Sequence, residues 1–457
     1  MLATTFIFIS AGMVAPSMGF SDSSFNSLLL SPSQNTYGYA APSANHSLAA
    51  NYCPGSVEGP SVRSSDSDSL VYKYDQVAPA GPGVPFGHGF FKHSCHPDPS
   101  HQESSEEEEP LCLYLKPSIN EGAGMVVVSR GSTLQESLEN QLHLSDIPER
   151  NDAFEVVEMP EKGGMGAIAS RRLEAGELVI NSRATLLISV EGDTYNRPDW
   201  KHICKLAVDL LPLKGRAGIA RLFGTGETQE GWISSAIEMN AFEISLGGEE
   251  GAIPFFAIFL TPSRLNHDCR PNTAFHVDSK SLEIHMHALR AITPGEEMTI
   301  SYRDMGQIRE KRQEEVSHYG FKCSCAHCRM NHAQAAESDR RLERLLMLSK
   351  RLLDWDAAAD EVLLLEETDE LLELYKLERL DNNIADGYTI AAVVYNSFGH
   401  TRRAARFASQ ALASGLSAFG TLWDDAEPLR ELTNFPELHW SYRARSSPQN
   451  HNIDILD

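Results

Sequence analysis

Ser263-Arg264-Leu265-Asn266-His267-Asp268-Cys269-Arg270-Pro271-Asn272 is followed by Gly295-Glu296-Glu297-Met298-Thr299-Ile300-Ser301-Tyr302 and then by Cys323-Ser324-Cys325-Ala326-His327-Cys328. These stretches hold three chemical devices in close succession: a polar Asn-His pair beside a cysteine, a strand ending in tyrosine, and a tight cysteine cluster. Three thiolates at Cys323, Cys325 and Cys328 are one short of a closed tetrahedral metal site. Cys269 is the obvious fourth ligand and Cys204 the weaker one. Zinc suits such a set. An iron–sulfur cluster is the runner-up, since four cysteines also hold one, and three free thiols are the bland alternative.

If Cys269 is a ligand, Asn266 and His267 stand beside the metal on a rigid segment. Tyr302 then presents its hydroxyl toward the same place. Without that link, His267 reads as a satisfied core histidine and Tyr302 as a strand end. Glu296-Glu297 reads as a solvated turn. Gly164-Met165-Gly166 is a short Gly-x-Gly that lets a ligand approach the backbone, but it lacks the longer fingerprint of a dinucleotide site.

Working outward, 457 residues suggest two or three domains, and a hydrophobic share of 42% supports a real core. The net charge of −24 repels a phosphate backbone, which argues against direct nucleic-acid binding and favours a basic polypeptide partner. Eight cysteines are too sparse for a disulfide scaffold. Leu2 to Pro16 is an apolar run followed by small residues, as in a secretory leader, although no Lys or Arg precedes it. It is too short to span a membrane, and no later segment qualifies. Residues 1–19 are thus a candidate signal peptide. Cleaved, it directs the chain to the secretory pathway; retained, it leaves a nuclear or cytoplasmic protein.

Residues 20–110 are rich in Ser, Gly, Pro and Asn, with a Ser64-to-Ser69 run and an acidic run at Glu106 to Glu109, and read as disordered. His88, His93, Cys95, His96 and His101 form a loose cluster there; a metal site is one reading, but the irregular spacing in a flexible segment favours the bland one. Asn45-His46-Ser47 is a sequon that matters only in a secreted chain. Residues 111–153 are an ordered lead-in, with strands at Cys112 to Leu115 and Met125 to Val128. Short strands with Gly turns then recur to Tyr302. They begin with Phe154 to Glu158, a turn at Lys162 to Gly166, and a strand ending in Leu178-Val179-Ile180. Residues 199–240 interrupt them with helical spacing. After Asn331 leucines recur at helical spacing, and Ala391 to Ala411 looks like a single tetratricopeptide-like hairpin. A helical bundle is the preferred alternative, and Gly415 is the expected helix stop.

The fold class is α+β. A β-rich core (154–303) with its helical insert precedes a cysteine-rich segment (304–331) and an α-helical C-terminal region (332–457).

Gly164-x-Gly166, Asn240-x-Phe242, Ser263 to Asn272, Gly295 to Tyr302, and the cysteine cluster preceded by Tyr319-Gly320-Phe321 are together similar to SET-domain protein lysine methyltransferases. The likeness is to a fungal group resembling the SMYD type but without a MYND finger, and it covers about residues 154–331. It implies that the Asn266-His267 segment is threaded beneath a loop. S-adenosylmethionine would lie against Gly164, Met165 and Gly166, held by the Asn266 side chain, the His267 backbone and Asn240, with Phe321 near its adenine. Tyr302 would stand at the methyl-transfer point and Tyr319 would line the lysine channel. Zinc would use Cys269, Cys323, Cys325 and Cys328 in a post-SET segment. The substrate would be a protein lysine, on a histone or another basic protein. Asp268 stands where serine is common, and Gly163 where a basic residue often precedes the glycines. The competing class is a non-catalytic SET-like module whose helical tail binds a partner.

Overall fold

The computed structural model describes residues 72–99, 109–140, 142–144, 152–162, 164–192, 194–246, 252–355 and 360–446. The leader, the sequon, the Ser64-to-Ser69 run, Glu106 to Glu108, His101 and Gly163 lie outside them.

One compact unit comprises Arg63–Ser301 and Ser414–Trp423. Its strands begin with β1 (Val84–Gly87), β2 (Phe90–His96), β3 (Leu111–Lys116), β4 (Met125–Ser129) and β5 (Phe154–Met159). They continue with β6 (Gly164–Ala169), β7 (Leu178–Arg183), β8 (Leu186–Ser189), β9 (Phe242–Leu246) and β10 (Ile253–Ile258). The last four are β11 (Asn266–His267), β12 (Thr273–Asp278), β13 (Glu283–Ala288) and β14 (Glu297–Ile300).

Three sheets result, ordered β1-β2-β3-β4-β8-β10-β9, β11-β14-β6-β5 and β12-β13-β7. The all-apolar Met125-Val126-Val127-Val128 lies inside the first sheet, between antiparallel β3 and parallel β8. A central strand buried on both faces reads as a continuous hydrophobic run rather than an alternation. The lead-in strands are therefore part of the same sheet as β8, β10 and β9.

Helices α1 (Gly131–Asn140), α2 (Trp200–Leu210), α3 (Leu213–Ala220) and α4 (Gln229–Asn240) belong to this unit, the last three in the predicted insert. Ile203, Ala207, Ile233 and Ile237 pack with Leu113, Val126, Val128 and Ile188 in one apolar cluster. Thr228 caps α4 by accepting from the Gly231 N–H.

Two local expectations need correction. The segment read as disordered contains β1 and β2, joined at His88 and Gly89, both with positive φ. Cys95 faces Cys112 across the β2–β3 pair and is disulfide-bonded to it, which takes that thiol out of the His/Cys cluster. Gly164-Met165-Gly166 is not a turn but the start of β6, paired with Met159, Glu158 and Val157. The turn is the 3-10 segment Pro160–Lys162 just before it.

The other unit comprises, among described residues, Tyr302–Ala413 and the part after Asp424. Its helices are α5 (Arg309–Ser317), α6 (His332–Leu352), α7 (Glu361–Leu377), α8 (Ile384–Ser397), the first part of α9 (Thr401–Phe419) and α10 (Ala426–Asn434). Leu342, Leu345, Leu348 and Leu352 of α6 share a core with Leu364, Leu371 and Leu374 of α7 and with Ile390 and Val394 of α8. Asn331 and Gln334 form a capping box at the start of α6, which explains the abrupt change of character there. Phe407 of α9 packs on Tyr388 and Tyr395 of α8 across a bend at Gly399.

Gly415 does not stop α9. A side chain there would run into the Trp423 ring, and the helix ends at Gly420, whose φ is +80°. The glycine at 415 serves packing and the one at 420 serves the backbone.

In the first unit, His276, His285 and His287 share one face of the three-stranded sheet, because His276 pairs with His285, and His287 follows two residues on. Asp278 and the buried Arg183–Glu283 ion pair complete that face. Gly420 covers His287, so a side chain at 420 would come within 2.7 Å of its ring. His287 is 7% exposed and its Nδ1 has no hydrogen-bond partner. Burial, with smaller contributions from His285 and His276, lowers its pKa to about 4.

The unfolded chain takes up a proton near pH 6.5, whereas the folded one resists until about pH 4. This group therefore leaves stability unchanged above pH 6.5 and lowers it between 6.5 and 4, by up to about 3 kcal/mol. Thermal melts from pH 7.5 to 4.5 should show that decline, and His287→Phe should flatten it. Parallel curves for the two proteins would refute the assignment.

Candidate active site and metal centre

The four-stranded sheet positions the Asn-His pair. β11 runs parallel to β14, with Asn266 opposite Thr299 and His267 opposite Ile300. The Asp268 N–H donates to the Ile300 carbonyl at 2.9 Å. Backbone groups alternate in direction along a strand, so the His267 N–H and carbonyl point to the other edge, away from β14. The Asn266 amide nitrogen donates to the Met165 carbonyl at 3.0 Å and to Glu297 Oε1 at 2.9 Å.

The two glycines differ. A Cβ on Gly166 would meet the Met159 sulfur and sit 2.7 Å from the Asn266 amide nitrogen, whereas one on Gly164 would meet nothing within 4 Å. Gly166 lets Asn266 reach the strand, and Gly164 faces open space beside it.

Asn272, 2% exposed, secures the turn after β11. Its amide nitrogen donates to the Glu297 carbonyl at 2.8 Å, and its oxygen accepts from the Thr299 N–H at 2.8 Å. Thr273 Oγ1 donates to the Thr299 carbonyl at 2.6 Å. The role of Asn272 was missed in the sequence, although it ends the quoted motif.

Glu296 and Glu297 are not a solvated turn. Glu297 is ion-paired with Lys162 and accepts from Asn266. Burial pulls the Glu296 carboxyl upward. Arg290 at 2.6 Å and the Thr293 N–H outweigh it and hold the group at about 2.

Asn240 closes α4 and donates its amide to the Phe223 and Ala236 carbonyls, at 2.8 and 2.7 Å. Its backbone carbonyl accepts from Ser263 Oγ. With both donors used on backbone, its side chain offers a ligand only an acceptor.

In the other unit, Tyr302, Tyr319 and Phe321 form one aromatic cluster. The two tyrosine rings are 5.0 Å apart, and Phe321 stands edge-on to Tyr302 at 6.4 Å. Arg303 lies 5.1 Å from the centre of the Tyr319 ring. Burial raises the Glu315 pKa against the pull of Arg303.

The Sγ atoms of Cys269, Cys323, Cys325 and Cys328 all lie within 4.8 Å of one another. Four sulfurs about 2.3 Å from a tetrahedral zinc would be about 3.8 Å apart, so the donor set fits that ion. Cys269 is fully buried, and His267 Nε2 is 3.3 Å from its sulfur. Cys204 is excluded as the fourth ligand. It lies in the apolar cluster of α2, where burial pushes its thiol well up.

Residues 164–303 match the family model described as SET domain. Three relatives are similar to this chain. The histone-lysine N-methyltransferase set5 of Schizosaccharomyces pombe is 28% identical over 43% of this chain and 57% of its own length. A SET and MYND domain-containing protein of Dictyostelium discoideum is 33% identical over 20% of this chain and 26% of its own. The histone-lysine N-methyltransferase ATXR4 of Arabidopsis thaliana is 34% identical over 21% of this chain and 34% of its own. The chain thus spans about half the length of the first and a third or less of the others. It carries a SET domain, and the Gly166–Asn266 junction lies inside the matched segment.

The glycines provide a direct check. Gly166→Ala should lower unfolding stability by about 1–3 kcal/mol, because the new methyl displaces Asn266 and Met159. Gly164→Ala should leave stability nearly unchanged in the same urea titration. Equal effects would mean that the close approach at Gly166 is not what holds Asn266.

Proposed function

We propose that this chain is an S-adenosylmethionine-dependent protein-lysine N-methyltransferase. The observation that carries the proposal is the junction of β6 and β11, where the Asn266 amide meets the Met165 carbonyl beside the open space at Gly164. When bound, the cofactor would supply a methyl group on an electrophilic sulfonium centre. Gly164, Met165, Gly166, the Asn266 side chain through its oxygen and the His267 backbone are the groups to hold it, with Asn240 likewise an acceptor and Phe321 an aromatic neighbour.

Tyr302 and Tyr319 are assigned to the substrate lysine. An aromatic enclosure sheds water from the amine and favours its neutral, nucleophilic form. The Tyr302 hydroxyl then orients the amine lone pair, and alignment of the reacting groups supplies much of the acceleration. The substrate is a lysine of a basic protein, histones included, since the acidic chain attracts such partners. Zinc on Cys269, Cys323, Cys325 and Cys328 holds the segment that carries Tyr319 and Phe321.

Two measurements test the proposal. Calorimetric titration should show S-adenosylmethionine binding that weakens roughly tenfold or more in Asn266→Ala, while Tyr302→Phe abolishes methyl transfer to a pool of histones without loss of cofactor binding. A chain that binds no cofactor at all is the non-catalytic module.

Elemental analysis should find one zinc per chain, lost in Cys269→Ser. Visible absorbance with bound iron would replace zinc by an iron–sulfur cluster.

A further inference from the structure

His327 sits between two of the cluster cysteines, yet its side chain is engaged elsewhere. It is 8% exposed, and its Nε2 lies 3.3 Å from the Ser338 hydroxyl and 3.8 Å from Glu378 Oε2. Ser338, in α6, donates to Glu378 Oε2 at 2.7 Å, and Arg341 Nε donates to Glu378 Oε1 at 2.6 Å.

Glu378 is 2% exposed and follows the last residue of α7. A carboxylate there is doubly disfavoured, by burial and by the negative end of the helix dipole. The hydrogen bonds it receives from Ser338 and Arg341 make the position tenable and tie α6 to the end of α7, and the His327–Ser338 contact joins the cysteine loop to them. The other end of the loop is held similarly. Gln313 of α5 donates to the Cys323 carbonyl at 2.8 Å and accepts from its N–H at 3.1 Å.

We propose that Glu378 and Ser338 are positioning residues for the metal centre, acting through His327 to hold Cys325 and Cys328 in ligating geometry. The inference rests on reading the four cysteines as a zinc site. It makes α6 and α7 a working part of that site rather than a free partner-binding tail. Groups that orient a metal's ligands from behind typically change metal affinity by about 10–100-fold.

The test measures zinc release from the full chain to a chromogenic chelator. Ser338→Ala and His327→Ala should each release zinc at least about tenfold faster than the parent. The double variant should be no faster than His327→Ala, because both act through one contact. Glu370→Gln, which removes an outer α7 carboxylate paired with Arg344, should match the parent. Ser338→Ala adds no bulk, and circular dichroism with melting identifies folded variants. Parental release rates in the folded variants, or additive rates in the double variant, overturn the positioning role and leave the zinc reading intact. A parent chain that holds no zinc after reconstitution overturns both.

Discussion

One buried amide governs the geometry on which the site in the β-rich unit depends. Asn272 bridges the Glu297 carbonyl and the Thr299 N–H, and so fixes the turn after β11 against β14. A two-residue strand cannot define its own register; it contributes too few ladder bonds. With Asn272 and Thr273 clamped to Thr299, β11 is held parallel to β14, and Asn266 arrives beside Glu297 and Met165. Cys269 lies within the same turn, so one clamp sets both the polar junction and the thiol that joins the other three.

What the sequence reveals follows from the range of the interactions involved. The insert helices and α6 are legible because apolar spacing repeats over several turns and capping residues mark the start, as at Asn331. The cysteine cluster is legible because cysteine is rare and three of its members lie within six residues. Glycines mislead wherever their lack of a side chain serves packing instead of backbone freedom. Gly164 to Gly166 looks like a turn and is a strand, and Gly415 looks like a stop and makes room for Trp423.

Carboxylates mislead for a different reason. Glu297 looks solvated because its partners Lys162 and Asn266 are far away in the chain, and Glu378 lies 40 residues from Ser338. The strands β1 and β2 are hidden by averaging. A Ser-, Gly- and Pro-rich composition says nothing about a short hairpin that pairs with β3 and is joined to it through Cys95 and Cys112.

The two buried polar systems show what such groups are for. The histidine face of β12 and β13 is tolerable because burial lowers the pKa of His285 and His287 and favours their neutral rings, and it gives up stability only in acid. The Glu378 network is of the opposite kind: its carboxylate is held by directed donors from α6 and by the loop that carries the thiols. A hydrophobic residue would pack at position 378 without that cost, but it would not accept the Ser338 hydroxyl's hydrogen bond and so turn that hydroxyl toward His327. The directional bond is what an apolar core lacks, and a short loop that carries three clustered thiols needs direction more than it needs burial.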